Sequence, residues 1–203
     1  MENKTFCIGY NKSGTTSLSE LFRKEVYKIA PQRPFECLLD EYISGDTKHI
    51  VNVIKDEYND CDFFQDVPFS LPKMFVNLDT SFPDAKFILT YRDSAEKWYE
   101  SYIRFMKLIQ GSIDEPYNFS YVRIGWILEV LVRGYGTTIG DPFNKEKMIE
   151  SYKNHIQECE QYFKNKSNFI KINLSDQDDF KRLQFFLKKD FKSKEFPHIN
   201  KSI

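Results

Sequence analysis

The stretch that decides the fold class is TFCIGYNKSGTTS, residues 5–17. Its first four residues form a short apolar run typical of a strand, and the helical spacing of the apolar residues that follow predicts a helix over residues 16–24. Between the two, Gly9 and Gly14 have the G-x-x-x-x-G spacing of a P-loop. A turn from strand to helix presents backbone N–H groups and a helix N-terminus to a phosphate, so we predict an anion site here.

The loop differs from the nucleoside-triphosphate form GxxxxGK[ST] in the position of its cation. Thr15 follows Gly14 where a lysine is usual, and Lys12 lies two residues before Gly14. The usual lysine reaches the β- and γ-phosphates of a nucleotide. We therefore expect Lys12 to reach a different atom of a different ligand. The alternative interpretation is a plain strand-to-helix turn with a threonine N-cap.

The remainder of the chain alternates short apolar strands with amphipathic helices, a pattern that predicts an α/β protein. Further strands are predicted at residues 61–65, 86–91 and 168–173, and further helices at about 36–57, 70–81, 92–109, 119–134, 144–164 and 176–189. We predict one domain, residues 1–203, with a P-loop NTPase-like central parallel sheet of about four or five strands. Helices should flank the sheet on both faces.

The composition excludes several classes of protein. The 203 residues carry 29 Lys and Arg against 30 Asp and Glu, and this balance argues against a duplex nucleic acid partner. Four scattered cysteines without zinc-ligand spacing are expected to be reduced thiols. No window approaches 18 consecutive apolar residues, so no membrane span is expected. The opening MENKTFCIGY has no basic region followed by an apolar one, which predicts a cytoplasmic location.

Two charged residues follow predicted strands at the edge where parallel sheets bind ligands. Arg92 comes directly after the strand at 86–91, and its guanidinium suits a phosphate. Asp93 and Glu96 behind it have the spacing of a helix capping box. Asp66 follows the strand at 61–65; as a carboxylate beside aromatic residues it suits general-base work, and as a turn cap it would have no catalytic role.

The segment CIGYNKSGTTSL, residues 7–18, resembles the phosphosulfate-binding loop of sulfotransferases that use 3′-phosphoadenosine 5′-phosphosulfate (PAPS). The signature of that loop is a lysine followed by Ser/Thr-Gly-Thr-Thr. The resemblance implies that the loop binds the 5′ end of the donor without a metal, and that Lys12 neutralises charge on the departing phosphate. The implied binding residues are Asn11, Lys12, Ser13, Gly14, Thr15, Thr16 and Ser17.

The segment YRDSAEKWYESY, residues 91–102, resembles the element of that family that binds the 3′-phosphate. There an arginine ends a strand and a serine about two helical turns later completes the site, which implies Arg92 and Ser101 here. Ser101 comes one residue later than the commonest spacing, so Ser94 is the alternative. The helix SYKNHIQECEQYF and the tail EFPHIN, with His198, also resemble the family, but its Arg-Lys-Gly segment is absent and the adenine contacts stay open.

These features favour a PAPS-dependent sulfotransferase that moves the sulfuryl group in line, without a metal, to a hydroxyl or amine and releases 3′-phosphoadenosine 5′-phosphate (PAP). The acceptor, a small molecule or a glycan, is not identified, and a homodimer is compatible with the sequence. Asp66 and His155 are the candidate bases, although a lone helical histidine is typical of a structural hydrogen bond. Phe63, Phe64, Phe69 and residues 117–121 are candidate walls of an apolar acceptor pocket, and at least half of these aromatic residues are expected to belong to the core instead.

Two other functions stay open at this point. One is a small P-loop kinase or NTPase, against which the missing lysine after Gly14 speaks. The other is a non-catalytic nucleotide-binding protein that keeps the phosphate loop without acceptor chemistry.

Overall fold

The computed structural model describes residues 4–114 and 120–197 and confirms an α/β fold with a parallel central sheet. The strands are β1 (Thr5–Cys7), β2 (Phe63–Phe64), β3 (Lys86–Thr90) and β4 (Phe169–Ile172). They lie in the order β2-β1-β3-β4, and all three pairings are parallel. In register, Thr5 lies opposite both Phe63 and Lys86, and Phe87 lies opposite Phe169.

Helices cover both faces of this sheet, as the sequence predicts. In chain order they are α1 (Thr15–Lys24), α2 (Gln32–Glu36), α3 (Leu39–Ser44), α4 (Thr47–Asp56), α5 (Met74–Ser81), α6 (Ala95–Gln110), α7 (Trp126–Glu129), α8 (Lys145–Phe163) and α9 (Gln177–Leu187), with a π-helical turn, Val130–Gly134, directly after α7. Phe6 and Phe87 pack on one face against α4, α5 and α8, whereas Cys7 and Ile88 pack on the other against α1 and α9. The alternation follows from the two-residue period of a strand.

The strand order places a crevice at the carboxyl edge of the sheet. From β1 the chain goes first to β2 on one side and later to β3 on the other side of β1. Such a reversal opens a gap between the loops that leave the two central strands, and open α/β sheets bind ligands there. The loops after β1 and β3 therefore border the same crevice.

Phenylalanines explain much of the aromatic content as core. The Phe6 ring lies 5.2 Å from that of Phe64 and 5.8 Å from that of Phe69, centroid to centroid. Phe63 packs on Phe22 at 4.3 Å on the opposite face. All three candidate wall residues near β2, Phe63, Phe64 and Phe69, are buried in the core, which is the alternative that the sequence favours for at least half of the set. Aromatic strand residues of a two-sided sheet serve the core on either face.

Three predicted helices differ in their bounds. The helical region predicted over about 36–57 contains two helices, α3 and α4, because Gly45 ends α3 in the left-handed region and Asp46 begins α4 as an N-cap, and α2 lies almost wholly before it. The helix predicted from 119 begins only at Trp126, after Gly125 with φ 80°. The helix predicted from residue 70 begins at Met74. None of the helices in residues 4–114 and 120–197 is long and apolar enough to cross a membrane.

Candidate functional site

A cleft of about 640 Å³ opens at the carboxyl edge of the sheet, beside the end of β1 and α1. It has a polar part formed by the loops that follow the strands and an aromatic part formed by α6, α7 and the π-helical turn. The predicted binding residues that line it are Asn11, Lys12, Ser13, Gly14, Thr15, Thr16, Ser17, Asp66, Arg92 and Ser101. Segments far apart in the sequence thus meet around one space.

The phosphate loop is held in shape through its own backbone carbonyls. The carbonyl of Tyr10 accepts from the Ser13 hydroxyl, and that of Asn11 accepts from the Trp98 indole at 2.9 Å. The carbonyl of Lys12 accepts from Nε of Arg92 at 2.9 Å. Because these carbonyls are engaged by side chains, the loop can present its amides, rather than its oxygens, to an anion.

Two glycines make this loop conformation accessible. A Cβ on Gly9 would lie 2.1 Å from Oγ1 and 2.5 Å from the carbonyl oxygen of Thr90, so only glycine lets β1 and β3 approach so closely. Gly14 has φ 110° and begins α1. Gly14, the N-cap residue of α1, has no side chain that could cap this helix N-terminus. An anion can therefore interact with the partial positive charge at the start of α1.

Lys12 is held inside the cleft, not in bulk water. Its Nζ lies 4.1 Å from the centroid of the Phe105 ring, within cation–π distance. Burial and then the neighbouring Arg92 guanidinium lower the pKa of Lys12, while Asp66 opposes the shift. A partly desolvated ammonium interacts strongly with an anion that enters the same space.

The segment after β3 places Arg92 against the phosphate loop and divides the roles of its two serines. The backbone N–H of Arg92 donates to the Tyr152 hydroxyl at 2.8 Å, which fixes its position. Ser94 is the N-cap of α6 and accepts from the backbone of Lys97, so the Asp93 capping box was a wrong prediction. Ser101 lines the cleft, which leaves it as the serine available to a ligand.

Asp66 follows β2 and turns its carboxylate toward the phosphate loop. Its Oδ1 accepts from the Thr15 hydroxyl at 3.0 Å. Its backbone carbonyl, not its side chain, accepts from the N–H of Ser70 in the following turn at 2.9 Å. Burial raises the pKa of Asp66 to about 6, with the Thr15 hydrogen bond opposing and Glu36 adding to the shift. The group is ionised at neutral pH and can accept a proton.

His155 lies beneath the phosphate loop and does not line the cleft. It is buried, its Nε2 lies 2.7 Å from the Ile8 carbonyl, and its ring stacks on that of Tyr10 at 4.4 Å. A carbonyl only accepts, so Nε2 donates. Burial lowers the pKa of His155 to about 4, so it is neutral at physiological pH. The structure places it as a support for the end of β1, away from the residues that line the cleft, and this position favours the structural hydrogen bond over the role of a base.

Several residues of the cleft were not predicted from the sequence. Asn173, Leu174 and Ser175 follow β4, and Leu174 packs against Gly14 at the start of α1. The sequence could have indicated these three residues, since they follow a predicted strand and the carboxyl ends of parallel strands meet at one edge of the sheet. The aromatic part carries no such local signal apart from Tyr121; its other members include Tyr102, Phe105, Met106, Trp126, Ile127, Val130 and Tyr135.

Two predicted features lie outside the described residues, namely Tyr117 in the proposed pocket wall and His198 in the tail. Tyr121, from the same predicted stretch as Tyr117, does line the cleft.

Comparison with protein families gives one finding that bears on the whole chain. The family model described as "Sulfotransferase domain" matches residues 4–203. No curated protein gives a significant match.

Proposed function

Because the chain belongs to the sulfotransferase domain family, we propose that it transfers a sulfuryl group from PAPS to an acceptor and releases PAP. The observation that carries this proposal is the junction of two cation sites. Arg92, at the end of β3, donates from Nε to the backbone carbonyl of Lys12 in the loop after β1. Two cations held at adjoining strand ends suit a small nucleotide with phosphates at both ends of its ribose.

The phosphate loop would bind the 5′ end of the donor. Thr15, Thr16 and Ser17 form the first turn of α1, where amides and the helix dipole favour negative charge. Asn11 and Ser13 complete the loop around them. Lys12 would leave the Phe105 ring and pair with the sulfate and the bridging oxygen.

Arg92 and Ser101 would bind the 3′-phosphate. Nε of Arg92 is already engaged with the loop, so its two terminal nitrogens are the groups that would face the ligand. Ser101 lies on the cleft face of α6, about two helical turns from its start. Ser94 accepts the capping hydrogen bond of α6 and does not line the cleft, which favours Ser101 for this role.

In the transfer step, the acceptor oxygen or nitrogen forms a bond to sulfur while the bond from sulfur to the 5′-phosphate oxygen breaks. The electron pair of that bond passes to the phosphate of PAP, and Lys12 neutralises the charge that develops there. The acceptor proton passes to the carboxylate of Asp66, which adjoins the loop through Thr15. With the acceptor placed opposite the phosphate loop, its attacking atom, the sulfur and the leaving oxygen of the 5′-phosphate lie in one line.

Ligand-induced stabilisation tests this function directly. We expect PAP at 100 times its Kd to raise the free energy of unfolding by about 2.7 kcal/mol. Lys12→Ala and Arg92→Ala should lose most of this gain. Lys48→Ala, which removes an exposed lysine of α4 that does not line the cleft, should keep it.

ATP with Mg²⁺ is the competing ligand in this test. An equal response to it would favour a P-loop kinase or NTPase, and full retention of the PAP effect in Arg92→Ala would overturn the 3′-phosphate role of Arg92. Transfer of labelled sulfate from PAPS to a panel of acceptors then distinguishes an enzyme from a nucleotide-binding protein.

A further inference from the structure

The wall of the cleft next to Asp66 is apolar. Val67 follows it directly in the chain and packs in one buried cluster with Tyr102, Met106 and Val130. The same four residues line the cleft. None of these four side chains carries a formal charge, so charged groups on the body of an acceptor would lose their hydration against them without gaining a partner.

Among the residues that the structure describes, the cationic ones that line the cleft lie on the phosphate loop, after β3 and on α6. Those are Lys12, Arg92, Lys97 and Arg104. Lys97 already pairs with Asp93 at 2.6 Å, and the proposed donor occupies Lys12 and Arg92. A polyanionic glycan would need a cationic surface beside Asp66, where this chain has aromatic and aliphatic side chains instead.

One polar group in this wall has no use in the fold. Tyr135 is only 1% exposed and lines the cleft, and its hydroxyl has no hydrogen-bond partner among the residues that the structure describes. Its ring lies 4.7 Å from that of Tyr10 and 5.7 Å from that of Tyr102, which fixes its orientation. A buried hydroxyl without a partner is costly and calls for an explanation.

Asp66 and Tyr135 line the same cleft, and Val67, which follows Asp66 directly in the chain, packs in one buried cluster with Tyr135. Burial, and then the adjacent Tyr102, Tyr10 and Asp66, hold the pKa of Tyr135 well above its usual value. The hydroxyl therefore keeps its proton and can donate it in a hydrogen bond. An oxygen placed between the two groups can donate to Asp66 and accept from Tyr135.

Resting on the proposed function, we propose that the acceptor is an uncharged alcohol or phenol with an apolar body, and that the Tyr135 hydroxyl positions its oxygen. The body would pack on Val67, Tyr102, Met106 and Val130. A protonated amine has no lone pair to accept the hydrogen bond from Tyr135, so this pair of groups selects oxygen over a basic nitrogen.

The test uses Tyr135→Phe with 2-naphthol as the probe acceptor, and benzylamine and N-acetylglucosamine as the contrasting acceptors. We expect sulfate transfer to 2-naphthol and a fall of about tenfold in its kcat/KM in Tyr135→Phe, as for one lost hydrogen bond. The KM for PAPS should not change. The melting temperature should not fall, because the deleted hydroxyl has no partner to lose among the described residues.

Tyr99→Phe is the matched control. It removes a hydroxyl of α6 that donates to the Phe143 carbonyl at 2.9 Å and does not line the cleft. This variant should lose some stability and keep its kcat/KM for 2-naphthol. The opposite pattern, an active Tyr135→Phe beside an impaired Tyr99→Phe, would overturn the role given to Tyr135.

The two proposals fail in different ways. If PAP binds and sulfate passes to benzylamine or to the sugar but not to 2-naphthol, the acceptor class is wrong and the sulfotransferase proposal stands. If PAP neither binds nor is formed, the proposed function fails. In that case the binding of 2-naphthol is measured by tryptophan fluorescence. Saturable binding that Tyr135→Phe weakens would support the apolar subsite, and the absence of binding would overturn the apolar subsite.

Discussion

Replacement of Asp66 by asparagine should slow transfer by about 10²–10⁴ and stabilise the fold. The new amide could still accept the hydrogen bond from Thr15, because its oxygen occupies the same place as the carboxylate oxygen. What the substitution removes is a buried negative charge. Burial raises the pKa of Asp66 from 3.8 to about 6, so the ionised form is penalised in the folded protein. The difference corresponds to about 3 kcal/mol, at 1.36 kcal/mol for each pH unit.

The sign of the effect follows from proton linkage. Between pH 3.8 and about 6 the folded state binds more protons than the unfolded state, so this group lowers stability as the pH rises. The full cost is present above pH 6 and absent below 3.8. Asp66→Asn should therefore be about 3 kcal/mol more stable than the wild type at pH 7.5, and nearly equal to it at pH 3.5.

Urea denaturation between pH 3.5 and 8 measures this difference, provided that the slope m is unchanged. Asp79→Asn is the control of opposite sign, because Asp79 accepts from Tyr162, Lys166 and Asn168. It should be less stable than the wild type. An Asp66→Asn protein that is less stable at pH 7.5, or a difference independent of pH, would refute the burial argument. In the same preparation, sulfate transfer should fall by about 10²–10⁴.

Three further outcomes are expected. The kcat/KM for the acceptor should fall tenfold per pH unit below about pH 6, since Asp66 must be ionised to accept a proton; a flat profile from pH 5 to 8 would exclude it as the base. Gly9→Ala should lose about 3 kcal/mol or prevent folding, because its Cβ would overlap β3, whereas Gly140→Ala, with nothing within 4 Å, should be tolerated in urea titrations. Ser94→Ala should cost about 1 kcal/mol of stability through the lost cap, and Ser101→Ala should weaken PAP binding in calorimetry without that cost.

The parts of the site that the sequence predicted are those in which the chemistry is local. Gly9, Lys12 and Gly14 lie within one turn between a strand and a helix, and Arg92 ends the most clearly apolar strand. Parallel strands bring such ends to one edge whatever the remainder of the chain does. The contact of Arg92 with the loop then needs only the adjacency of β1 and β3.

The aromatic wall could not be predicted, because it depends on packing between distant segments. Tyr102 belongs to α6, whereas Tyr135 follows a π-helical turn that continues the helix begun after Gly125. The sequence pattern of a helix does not reveal the π-helical turn. The turn changes the direction in which side chains point, but it does not change the amino-acid composition. The position of His155 could not be predicted either. Its place beneath the phosphate loop depends on the hydrogen bond to the carbonyl of Ile8, a residue distant in the sequence.

The hydrogen bond from Arg92 to the carbonyl of Lys12 has a consequence for cooperativity in ligand binding. One guanidinium both shapes the loop for the 5′ end and faces the position proposed for the 3′-phosphate. Occupation of either position restrains Arg92 and so prepares the other, and such a coupling is reciprocal. A nucleotide without a 3′-phosphate should therefore lose more affinity than the missing contact alone supplies, and discrimination against ordinary adenine nucleotides would be distributed over both ends of the cleft.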